Sequence, residues 1–174
     1  MNSRLFETQS ALRARYKQAP ELALVTAQAR TRSDNPADPF HLQVVPALRD
    51  EAAVPVGVHG SVGGPYDAPC PGDLLCAALA ACYDASVRMV AQAMGIELTA
   101  LEVHVQAKVD MRGAMGMGRD LPVGFQSFST DIHLQAREGT PAEVIEQLRV
   151  AAQRCCVVAH TLRSAPEMQT RFHA

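Results

Sequence analysis

Residues 71–94, PGDLLCAALAACYDASVRMVAQAM, constrain the fold of this chain more than any other stretch. Pro71 suits the first helical position, and Asp73 falls in the first turn, where a carboxylate favours the unpaired N–H groups. Gly95 is a natural stop just past the end. Leu74, Leu75, Ala77, Ala78, Leu79, Ala80 and Ala81 leave the first half apolar on nearly every side. A helix of that kind is buried all round, and its alanines let other elements approach closely. The pattern predicts one long buried central helix. One subunit of 174 residues cannot easily cover it on every side. A second subunit is therefore expected to complete the cover through a large, obligate interface.

The flanking segments predict an α+β fold with antiparallel sheet. Residues 3–18 read as a short charged helix and 22–30 as a strand. Asp34, Asn35, Pro36 and Pro39 mark a turn, after which 40–46 returns as the second strand of a hairpin. A third short strand is expected at 54–59, then a loop over 60–65. Strict apolar alternation through Leu101, Val103, Val105, Ala107 and Val109 predicts a half-buried strand at 101–109. Residues 126–136 repeat the pattern through Phe128, Thr130, Ile132, Leu134 and Ala136. The Gly- and Met-rich stretch between them reads as a loop. Thr140, Pro141 and Glu143 have the spacing of a capped helix start. A second short helix follows at 154–162, and 168–172 reads as a final strand. Strands and helices do not alternate as βαβ units, which excludes a doubly wound sheet. The organisation expected is an N-terminal helical extension over 1–21 and one domain over 22–174.

Composition narrows the function classes. Apolar residues make up 48% and charged residues 20%, so the chain is globular and not disordered. The net charge is −2, which argues against a nucleic-acid partner. Asp84 interrupts the most apolar run short of the ~20 residues a membrane span requires, so no membrane partner is expected. The N-terminus alternates charges and lacks the apolar core of a signal peptide. A cytoplasmic location is expected. Five cysteines, an odd number in largely apolar settings, do not fit a secreted disulfide framework.

The residues offer little other chemistry. The six histidines lack metal-ligand spacing, Cys155-Cys156 lacks that of a zinc site, and no metal or cofactor is expected. GSVGG at 60–64 lacks the context of a phosphate loop, and no GxSxG is present. Cys76 reads as a small core residue. Cys70, just before Pro71, stands where a helix terminus favours a thiolate. By composition Cys82 is also core.

Two segments change that reading. Pro71-Gly72-Asp73-Leu74-Leu75 followed by Ala77-Ala78-Leu79-Ala80-Ala81-Cys82 resembles the P-x-[DE]-L-x-x-x-A-L-A-A-C segment of the OsmC/Ohr family. Cys156-Val157-Val158-Ala159-His160-Thr161-Leu162 resembles its second segment, C-P-V-x-x-T-L. Gly95-Ile96-Glu97-Leu98 with the following strand is similar to a third stretch. The resemblance covers roughly 22–172. It implies an OsmC-like fold assembled as an intertwined homodimer. It also implies a thiol peroxidase that reduces organic hydroperoxides and is reset by an external dithiol reductant. Cys82 maps to the peroxidatic cysteine and Cys156 to the resolving one, with Cys155 a possible competitor. The family's thiolate-holding arginine comes from the N-terminal hairpin, where Arg30 and Arg32 both stand. Gly72 occupies the position of the peroxidases' glutamate, leaving Asp73 as the neighbouring carboxylate that could orient an arginine. Val157 replaces a proline. The alternative implied by these departures is a non-enzymatic OsmC-fold protein that binds an apolar ligand or senses redox state.

Overall fold

The computed structural model describes residues 4–173. In order, the elements are α1 (Arg4–Gln18), β1 (Ala29–Arg32), β2 (Leu42–Pro46), β3 (Val54–Val56), α2 (Pro71–Met94), β4 (Leu98–Val109), α3 (Met111–Ala114), β5 (Phe125–Ala136), α4 (Ala142–Cys155) and α5 (Val157–Arg163). Ser3, assigned to the first helix by sequence, lies outside the described residues. The fold is α+β, with the antiparallel hairpin, long helix and strand pair that the sequence implies.

The chain divides into two compact units. Among the described residues, one comprises 4–6, 78–105 and 130–173, and the other 7–77 and 106–129. The first holds most of α2, α4 and α5, with parts of β4 and β5. Its core is Val87 and Ala91 of α2 against Leu148 and Ala152 of α4, with Leu101, Ile132 and Leu134 packed onto them. Leu79, Tyr83, Val87 and Ala91 recur at intervals of four, so α2 buries one stripe. Ala78, Ala81, Ala85 and Met89 form the other side and are exposed. Burial all round is therefore not reached within one chain, because a single packed layer covers only one stripe of a helix. By length and composition α2 also qualifies to cross a membrane, Asp84 notwithstanding, although 28% of its most apolar window is buried in the chain. Core helices of soluble folds share that property.

In the second unit β2 is the middle strand of a three-stranded antiparallel sheet, with Ala29 opposite Pro46 and Leu42 opposite Val56. Val45 and Val56 are its most buried residues. The first strand is shorter and later than expected. Pro20 opens a 3₁₀ turn over Pro20–Ala23, and pairing with β2 begins only at Ala29. The third strand ends at Val56 rather than His59, because the chain then folds into a 3₁₀ turn over Gly60–Val62. The Met-rich stretch contains the short α3, capped by Asp110, whose side chain accepts from the Arg112 N–H. A side-chain ion pair with Arg112 also holds the Asp110 carboxyl down at about 2.

Two expectations near the C-terminus fail. Thr140 does not cap α4; its hydroxyl donates to the Arg137 carbonyl at 2.6 Å, closing the preceding turn, and α4 starts at Ala142 without a side-chain cap. Residues 168–172 form no strand and lie exposed, with Phe172 96% accessible. Alternation alone does not make a strand where no partner edge is offered.

Candidate functional site: a paired thiol at a helix break

α4 ends at Cys155 and α5 begins at Val157, with Cys156 between them in an extended conformation (φ −77°, ψ 97°). The break turns the two adjacent cysteines to different surroundings. Cys155 is exposed, whereas Cys156 is fully buried. The His160 N–H donates to the Cys156 carbonyl at 3.1 Å, which starts α5. The Thr161 hydroxyl donates to the Val157 carbonyl at 3.0 Å, back-bonding within the helix.

Cys82 stands on α2 at the margin between the buried stripe and the exposed alanines, and is half-buried. Its thiol lies beside that of Cys156. Burial pushes the Cys156 thiol up, and the neighbouring Cys82 sulfur pushes it further. The amides of Ala159 and Val158 oppose this by favouring the thiolate, although neither makes a side-chain cap of ordinary hydrogen-bond geometry. A raised pKa favours the protonated form of the Cys156 thiol. One residue after Cys82, the Tyr83 hydroxyl accepts a long 3.4 Å bond from Arg163 of α5. Arg88, on another face of α2, is occupied by Asp84 one turn back, at 3.1 Å from Nη2.

The other sequence-derived candidates lie in the second unit. Arg30 and Arg32 project from the same side of β1 and are both about half exposed. Asp50 receives both: Arg30 pairs with it, and Arg32 reaches it at 3.3 Å while donating to Gln43 at 2.6 Å. Asp73 instead turns back on its own helix. It accepts the Cys70 N–H at 2.8 Å and the Tyr66 hydroxyl at 3.3 Å. Burial opposes its ionisation, but the Cys70 amide and thiol and the Tyr66 hydroxyl outweigh burial and hold its pKa below the usual value. Within the chain both hairpin arginines meet Asp50, whereas Asp73 meets Cys70 and Tyr66. An acidic side chain at the third helical position reaches the free amide before the helix more readily than a remote cation. Sequence reasoning missed Asp50 because the hairpin register is what brings it beneath β1.

Gly72 lies close beside an aromatic side chain. A Cβ built there would lie 3.0 Å from Phe125 Cζ and 3.5 Å from the Cys70 sulfur. Phe125, packed at 5.2 Å on Phe128, fills the space next to this position. Among the described residues no group of three His, Cys, Asp or Glu side chains is arranged to hold a metal.

Residues 63–171 match the family model for OsmC-like proteins. The chain belongs to the OsmC-like family. Solved structures share its fold. An OsmC-like protein from Mycoplasma pneumoniae superposes with a TM-score of 0.63 at 14% identity, covering 81% of this chain and 89% of that one. An organic hydroperoxide resistance protein from Elizabethkingia anophelis gives 0.58 at 19% identity, over 82% and 91%. An OsmC-like protein of unknown function from Vibrio cholerae gives 0.57 at 11%, over 79% and 94%. At these identities the likeness is one of fold. No curated protein sequence matches this OsmC-like chain.

Proposed function

We propose that this OsmC-like protein is a thiol peroxidase that reduces organic hydroperoxides, and that it works as a homodimer. The observation that carries the reading is the adjacency of the Cys82 and Cys156 thiols, one half-buried and the other fully enclosed. The Cys82 thiolate attacks the distal peroxide oxygen. An S–O bond forms, the O–O bond breaks, and the alkoxide takes a proton and leaves as alcohol. Cys156 then gives up its proton and attacks the Cys82 sulfur. The S–S bond forms, and the sulfenic oxygen departs as water. An external dithiol donates two electrons by exchange and restores both thiols.

Arg30 and Arg32 are proposed as the source of the cation that favours the Cys82 thiolate, with Asp50 positioning them. Either Arg→Ala variant is expected to slow consumption of cumene hydroperoxide with a dithiol reductant by ten- to a hundredfold, roughly 1.4–3 kcal/mol of barrier. Peroxide consumption no faster than the uncatalysed reaction in wild type would overturn the enzymatic reading. The occupation of the glutamate position by Gly72 under Phe125 favours the alternative, a non-enzymatic protein that binds an apolar ligand. Loss of peroxidase activity together with saturable uptake of an apolar fluorophore would select it.

The dimer proposal rests on unsatisfied apolar surface. The alanine side of α2 is open, and Leu24, Val25, Met168 and Phe172 are each more than four-fifths exposed. A second copy with the same unsatisfied surfaces is the partner that buries them reciprocally. Analytical sedimentation at micromolar concentration is expected to give a stable dimer. A monomer there would contradict the proposal.

A further inference from the structure

His41, at the end of the β1–β2 loop, is held on both sides of its ring. Nδ1 lies 2.8 Å from Asp38 Oδ2, and Nε2 lies 3.1 and 3.3 Å from the two oxygens of Asp67. A neutral imidazole has one N–H and cannot donate to both carboxylates; the imidazolium can. The two carboxylates belong to different segments. Asp38 is in the hairpin loop and is itself positioned by accepting the Phe40 N–H at 2.8 Å. Asp67 is in the segment that leads into α2.

That segment lies tightly against the strand end before it. Tyr66 N–H donates to Val58 at 3.1 Å, and Gly57 N–H donates to Pro69 at 3.0 Å. A Cβ on Gly64 would fall 2.1 Å from the Val58 oxygen, so only glycine permits this approach. Tyr66 adopts a left-handed conformation (φ 53°) and carries the hydroxyl that holds Asp73 in the first turn of α2. The remaining charged groups around the depression that His41 lines are Arg32, turned to Gln43 and Asp50, and Asp34.

We propose that His41 is a proton-operated clasp that ties the β1–β2 loop to the segment entering α2 when its ring carries both protons, and releases that segment when one is lost. The Asp38 and Asp67 carboxylates raise the His41 pKa, in that order of effect. A group raised in the folded state stabilises it fully below its unfolded value, ~6.5 for histidine. That contribution disappears as pH climbs through the higher folded value. The clasp is thus closed while His41 carries both protons and the two carboxylates are ionised, and it opens as pH climbs through the raised His41 value.

The test is an NMR titration of the full-length protein, with amide exchange followed at Tyr66. His41 is expected to titrate above the ordinary imidazole value, with both nitrogens protonated below its midpoint. The protection factor of the Tyr66 amide, corrected for intrinsic exchange, should fall several-fold across the same transition. Asp67→Asn should lower the midpoint and shrink the step, and His41→Gln should remove it. A His41 midpoint at or below the ordinary value, a protection factor without a step, or a step that survives His41→Gln would each overturn the proposal.

Discussion

Replacing Cys82 by Ser is expected to reduce peroxide consumption at least about a thousandfold, ~4 kcal/mol of barrier, because the hydroxyl that remains is not ionised at neutral pH. Cys156→Ser should behave differently. The first attack proceeds at near the wild-type rate, but the sulfenic acid at Cys82 has no enclosed thiol to meet. It persists and advances to sulfinic acid under excess peroxide. Mass spectrometry of each variant after stoichiometric and excess peroxide checks both outcomes. Equal loss of the initial rate in the two variants would show that the roles are not divided as proposed. Cys155→Ser should retain the cycle, since Cys155 faces solvent while Cys156 faces Cys82.

Leu148→Ala is expected to produce the largest loss of stability, about 3 kcal/mol within the usual 2–5 for a buried leucine. Leu148 is fully enclosed and joins Val87, Ala91 and Ala152 in the core that holds α4 against α2. Truncation leaves a cavity between α2, which carries Cys82, and α4, which ends just before Cys156. Val150, two residues on and about half exposed, gives the contrast. Val150→Ala should change stability by no more than ~0.5 kcal/mol. Denaturant midpoints for the two variants decide the matter. Equal shifts would mean that the core is not organised around Leu148.

The contrast also shows what the sequence made legible. α2 came out at its full bounds because its signals are local: proline at the start, an acidic first turn, glycine at the end and continuous apolar character between. β4 and β5 were legible because alternation over a long stretch has one structural meaning, and both strands carry it, extended at their starts. The signals that failed were those needing a partner. The MQTRF segment has strand-like residues but no edge to pair with. Thr140 has the right spacing for a cap, yet a closer carbonyl takes its hydroxyl.

The same division runs through the candidate site. Cys82 and Cys156 were singled out by motif resemblance, and their adjacency depends on a helix break that the sequence places early, with the second helix read from 154 where α5 starts at Val157. Asp73 was legible as a first-turn carboxylate, and that local role is the one it fills. The partner of the arginines was not. Asp50 reaches Arg30 and Arg32 through the β1–β2–β3 register, information spread over more than twenty residues. His41 was unremarkable in sequence for a similar reason. Asp38 is three residues away, but Asp67 is brought to the ring only by folding.

The central claim is that Cys82 and Cys156 act as one redox pair, and peptide mapping after a single equivalent of organic hydroperoxide tests it most directly. The account predicts an intramolecular disulfide joining the Cys82 and Cys156 peptides, with Cys70, Cys76 and Cys155 recovered as free thiols. A disulfide from Cys82 to Cys155, or Cys82 recovered as sulfinic acid with Cys156 still reduced, would contradict it.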